Sequence, residues 1–140
     1  MRRGEALGLH HQDLDLENGT ISIVQTISRS VHKGIIVEPT KSAAGHRVFD
    51  IDDMPVNILR AHIGRQLLNR AELGDVYDDN GLVFPGPLGE PLNPMKLTRT
   101  FQGLAKAHGI KGARLHNLRH FHASVMLQNG ASLLLVSNRL

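Results

Sequence analysis

The sequence predicts an α+β fold, mainly helical, with a small three-stranded antiparallel sheet. Three observations carry that prediction. Apolar residues recur at helical spacing through three long stretches after residue 53. The segments 20–26, 35–38 and 47–51 are instead short, rich in β-branched residues and bounded by turn residues. At 140 residues, with 41% apolar but only 4% aromatic residues, the chain fits one domain around an aliphatic core.

Residues 1–9 read as the end of a helix, with Leu7 and Leu9 as its apolar side chains. A turn follows at 13–19, rich in Asp and closed by Asn18-Gly19. Residues 20–26 alternate β-branched and polar side chains, as a strand does. Segments 35–38 and 47–51 supply the second and third strands, joined by the turn at 41–45. Asp53 can cap the next helix with Pro55 in its first turn, and Val56, Leu59, Ile63 and Leu67 keep helical spacing to about Arg70. An acidic loop at 74–81 leads to the short apolar segment 82–84. Four prolines and two glycines between Pro85 and Pro94 allow only a loop. Asn93-Pro94 then starts a helix carrying Leu97, Phe101 and Leu104 and closed by Gly109. Another runs from about Leu115 to Gly130, and Ser132 caps a final stretch over 133–140.

No run of eighteen apolar residues and no signal-peptide pattern occurs, which predicts a cytoplasmic protein with no membrane partner. Zero cysteines exclude disulfides and thiolate metal sites. The net charge of +3 hides an asymmetry: residues 1–90 hold 9 Lys/Arg against 13 Asp/Glu, whereas 91–140 hold 7 Lys/Arg and no acid. A basic, acid-free stretch of that length reads either as a solvated face or as a surface for a polyanion such as nucleic acid.

Within that stretch lies His116-Asn117-Leu118-Arg119-His120. On a helix His116 and Arg119 leave from one face, pairing a titratable imidazole with a permanent planar cation. Such a pair suits the grip and protonation of a phosphate. Phosphodiester chemistry also calls for a second cation and a proton donor for the leaving oxygen. The chain offers Arg2 and Lys41. Taken singly, Arg2 reads as a surface arginine and Lys41 as a solvated turn lysine. Their order along the chain is what makes them informative.

Four fragments in that order resemble the catalytic domain of the tyrosine recombinases, the phage-integrase family. Arg2-Arg-Gly-Glu-Ala-Leu-Gly-Leu9, followed by Asp13-Leu-Asp-Leu16 and Gly19-Thr-Ile21, is similar to the family's first arginine motif and the strand after it. Thr40-Lys41-Ser42 with Arg47 resembles the β-hairpin that carries its catalytic lysine. Leu82-Val-Phe84-Pro85 and Gly89-Glu-Pro-Leu92 resemble the loop between the two motifs. Leu115-His-Asn-Leu-Arg-His-Phe-His-Ala-Ser124 resembles the second arginine motif. The likeness covers essentially the whole chain. It implies a tyrosine-recombinase (DNA breaking-rejoining) fold with double-stranded DNA as partner and full-length relatives tetrameric on DNA.

The resemblance further implies site-specific DNA recombination or integration, without metal, ATP or other cofactor, through a 3′-phosphotyrosine. Arg2 and Arg119 would bind the phosphate, and Lys41 would be the general acid for the 5′-oxygen. His116 would transfer a proton or bind phosphate. Glu5 would support the arginine face from the next turn, and His120 would pack or hydrogen-bond near the site. Asn117 stands where an acid is frequent, and His10-His11 replaces a basic-aromatic pair. The family's Gly-His pair and nucleophilic tyrosine are expected after Leu140, and its DNA-binding domain before Met1. The reading is therefore a partial catalytic domain over 1–140, with no nucleophile and no ability to cleave alone. The alternative is a non-catalytic DNA-binding remnant of a decayed integrase gene.

Other chemistries fit less well. Tyr77 lies in the acidic loop and is expected to be structural or superficial. His116, His120 and His122 could suggest a metal, but no carboxylate follows Glu90 and the His-Glu-x-x-His pattern is missing. The 13–19 turn fails as a calcium loop because Gly19 comes one position late and Val24 stands where the bidentate Glu is needed. No Gly-x-x-x-x-Gly-Lys loop is present for an ATPase.

Overall fold

A computed structural model describes residues 1–40 and 46–139, apart from the side chain of Asn138. The chain opens on α1 (Arg3–Leu7), five residues that could not persist as a helix in isolation. Burial holds it: Leu7 and Leu9 are almost wholly enclosed, each contributing on the order of 2 kcal/mol. Glu5 adds a local constraint, since its Oε2 accepts the Arg2 backbone N–H at 2.6 Å and so satisfies one of the unpaired donors at the helix start.

After a 3-10 turn at His11–Asp13 come β1 (Leu14–Asp15), β2 (Thr20–Ile23), β3 (Gln25–Ser30), β4 (Gly34–Pro39) and β5 (Arg47–Asp50). A three-stranded antiparallel sheet is present, in the order β1-β2-β5, and β3-β4 forms a separate antiparallel hairpin. Membership therefore differs from the sequence expectation in two ways. The single strand expected over 20–26 divides at Val24, and the 35–38 segment pairs with β3 (Ile27 opposite Val37) instead of joining the three-stranded sheet. The third member is β1, from within the expected 13–19 turn, with Leu14 opposite Ile21. Asp15 Oδ1 accepts the backbone N–H groups of Glu17 and Asn18, and Gly19 turns the chain at φ +65°, so this turn is a closed hairpin.

Just past the division at Val24, α1 lies on β3. A Cβ on Gly4 would collide with Thr26 Oγ1 and come within 2.7 Å of the Ile27 carbonyl oxygen. One on Gly8 would sit 3.2 Å from the Gln25 carbonyl oxygen. Two glycines four residues apart thus let helix backbone meet strand backbone, an approach that any side chain would block.

Then follow α2 (Asp53–Leu73), a 3-10 turn at Gly74–Val76, α3 (Pro94–Ala107), α4 (Leu115–Gln128) and α5 (Leu133–Arg139). The first of these starts one residue earlier than expected, with Asp52 at the N-cap and Asp53 already helical, and it runs three residues past Arg70 to Gly74 at φ +54°. The Asn93 side chain accepts the Met95 N–H and caps α3, and Ser132 Oγ accepts the Leu135 N–H to start α5.

One core gathers Leu9, Ile21, Ile23, Leu59 and Val83; a second gathers Leu7, Ile27 and Leu82, and Phe84 packs against both. The aliphatic character expected from composition holds. Tyr77 is buried as well, its hydroxyl accepting from Gln66 Nε2 at 3.1 Å, the structural rather than the superficial of the two places expected for it. No helix of the described residues is long and apolar enough to cross a membrane.

The two kinds of glycine give opposite expectations. Gly4→Ala must displace β3 and should lower stability by about 1–3 kcal/mol. Gly64→Ala, in the middle of α2 with open space at its Cβ position, should raise it by about 0.5–1 kcal/mol. Thermal unfolding of both variants checks this, and a stable Gly4→Ala protein would contradict the account of the α1–β3 contact.

Candidate functional site

Glu5 is the organising residue. Its side chain is 4% exposed, and each of its oxygens meets two donors. Arg2 Nη1 donates to Oε1 at 2.8 Å and the Arg2 backbone N–H to Oε2. From the first residue of β5, Arg47 Nη1 donates to Oε1 at 3.2 Å and Nη2 to Oε2 at 2.9 Å. Burial on its own would push the Glu5 carboxyl up. The hydrogen bonds from Arg47 and Arg2 outweigh burial and hold it at about 2.

Arg119 reaches the same region from the start of the second turn of α4. It is partly buried, and its Nη1 is enclosed with no hydrogen-bond partner among the described residues. Burial, and then the charge of Arg2, loosen its hold on its proton, with Glu5 acting the other way. Arginine nonetheless stays charged at neutral pH. Three guanidinium groups and one carboxylate leave an excess of positive charge here.

A cleft of about 580 Å³ opens beside Arg2 and Arg119, between α1, α3 and the start of α4. Arg2, Arg3, Arg114, His116 and Arg119 all line it. His116 and Arg119, three residues apart on α4, both line this cleft. The His116 ring meets that of His120 edge to face, with centroids 4.5 Å apart. Arg3 is exposed, and its Nη1 donates to Thr98 Oγ1 at 2.7 Å, tying α1 to α3. Lys41 falls outside the described residues.

Two residues were missed. Arg114 flanks α4 at its N-cap and was not singled out from the general basic charge. Arg47 entered only as part of a motif, although a signal for it exists. It alternates with Val48 so that it shares the inward face of β5 with Phe49, and a charge on an inward face needs a partner.

Residues 1–140 match the phage integrase family along their whole length. The chain belongs to that family. It is 26% identical over 151 residues to a tyrosine recombinase XerC-like protein of Caldanaerobacter subterraneus, covering 100% of this chain and 39% of that protein. To an integrase of a Staphylococcus phage it is 30% identical over 146 residues, covering 99% of this chain and 40% of that protein. The chain thus spans about two fifths of the length of these relatives. Among solved structures, the Tn1549 transposon integrase in complex with circular intermediate DNA matches with a TM-score of 0.79 at 19% identity, over 99% of this chain and 47% of that one. The XerA recombinase matches with a TM-score of 0.73 at 23% identity, over 98% and 42%. This integrase-family chain shares their fold.

The Glu5 geometry has a direct consequence for stability. The folded carboxyl titrates at about 2 and the unfolded one near its ordinary 4.5, so the unfolded chain binds the proton more readily. Stabilisation from this group is complete above pH 4.5 and is lost as pH falls through about 2. Urea unfolding should show Glu5→Gln less stable than the parent near pH 7, by about 3 kcal/mol. That gap should close on acidification over the same window. A gap independent of pH would contradict the assignment.

Proposed function

We propose that this chain provides the phosphate-binding face of a site-specific DNA recombinase of the integrase type. The observation that carries the proposal is the enclosed Nη1 of Arg119, without a hydrogen-bond partner among the described residues, in a cleft it shares with Arg2. An enclosed guanidinium donor without an acceptor is costly, and a phosphodiester oxygen supplies that acceptor together with the missing negative charge. Membership of the phage integrase family and the acid-free basic stretch 91–140 support DNA as the source of the phosphate.

In this reading Arg2 and Arg119 hold the non-bridging oxygens and stabilise charge as the phosphorus becomes pentacoordinate. His116, on the same wall, binds phosphate or moves a proton, and His120 steadies its ring. Lys41 delivers a proton to the 5′-oxygen, and Glu5 keeps Arg2 in place. Tyr77 is the one tyrosine in the sequence and is buried against Gln66, away from the cleft lining. The chain by itself therefore binds DNA and forms no phosphotyrosine bond. A covalent adduct on a nicked suicide substrate would overturn that part.

Binding to a duplex of about 30 base pairs, followed by fluorescence anisotropy, tests the phosphate contacts. Each neutralised phosphate contributes about 0.9 to the slope of log affinity against log salt. Arg119→Ala should weaken binding to all sequences alike and reduce the slope by about 1. Binding that ignores salt, or an Arg119→Ala protein with unchanged slope and affinity, would refute the reading.

A further inference from the structure

Resting on that reading, we propose that Arg47 is a positioning residue for the phosphate site: by clamping both oxygens of Glu5 it limits the Arg2 side chain to one contact and leaves the rest of that guanidinium for the phosphate. Donor and acceptor capacity sets this division. A carboxylate offers about four lone-pair directions, and an arginine facing it alone tends to bind both oxygens in a parallel fork. Here Arg47 takes one direction from each oxygen, and the Arg2 backbone N–H takes another from Oε2. One position remains, at Oε1, and Arg2 Nη1 fills it at 2.8 Å.

The exposures fit this division of roles. The Arg47 side chain is 11% exposed and faces the carboxylate from the inward side of β5, whereas that of Arg2 is 60% exposed and lines the cleft. Arg47 does not line the cleft, so it acts on a bound phosphate through Glu5 and Arg2. A buried ion pair is an unreliable source of stability compared with apolar packing, and orienting a neighbour is a better reason for this one. Without Arg47, Glu5 can turn to meet Arg2 as a fork and draw it back from the cleft.

The test is a double-mutant cycle in the full chain, read as affinity for duplex DNA at fixed salt, with circular dichroism confirming the fold of each variant. Arg2→Ala should weaken binding about tenfold. Arg47→Met should weaken it by a similar factor, and the double variant should lose no more than about twofold beyond either one, because both changes remove the same contact. Arg47→Lys keeps the charge but not the fork, and should recover part of the loss. If Arg47→Met does not fold, the same cycle with Arg47→Lys decides, the double variant again expected to match Arg2→Ala. Losses that multiply, or a folded Arg47 variant that binds like the parent while Arg2→Ala is weakened, would overturn the positioning role alone. An Arg2→Ala protein with unaltered affinity would overturn the phosphate-site reading and this inference with it.

Discussion

The bridge from Arg47 through the Glu5 carboxylate to Arg2 is the interaction on which the site depends. It joins the start of β5 to the start of α1, two segments 42 residues apart, through hydrogen bonds of 2.6–3.2 Å around one buried carboxylate. A helix as short as α1 has little stability of its own. The close approach at Gly4 and Gly8 fixes its distance from β3, the burial of Leu7 and Leu9 fixes its rotation, and Glu5 fixes its N-terminus. Each constraint comes from a different neighbour, so Arg2 is held by tertiary structure rather than by helix propensity.

Charge is arranged unevenly around that bridge. Within the cluster one carboxylate balances only part of the charge of Arg2, Arg47 and Arg119, and Arg3 and Arg114 stand on the adjoining cleft walls. In water such a gathering of like charges is screened; around the enclosed Nη1 of Arg119 screening is weaker. An anion entering the cleft relieves repulsion and satisfies a buried donor together. The absence of any acid after Glu90 keeps the α3 and α4 walls from competing for those cations.

Much of this was legible in the sequence, and the exceptions have physical causes. The helices showed themselves by spacing and caps, with Asn93-Pro94 and Ser132 acting as expected. The division of strands at Val24 left only a faint mark, Ile23 and Val24 being apolar in succession and Gln25 and Thr26 polar, and the packing of α1 on β3 just beyond it has no local signal. His116 and Arg119 were readable from a three-residue interval, yet the enclosure of Arg119 Nη1 is a property of tertiary packing and has no local signature. Glu5 was legible as a support for Arg2 but not as a shared acceptor, since its second arginine arrives from β5.

The central claim is that Glu5 stays ionised while buried because two arginines hold it. A carbon-13 NMR titration of the Glu5 side-chain carboxyl in the folded chain tests this most directly. A midpoint near pH 2 is the result the account predicts. A midpoint at or above the ordinary 4.5 would mean that burial outweighs the arginines and that the bridge does not form as described.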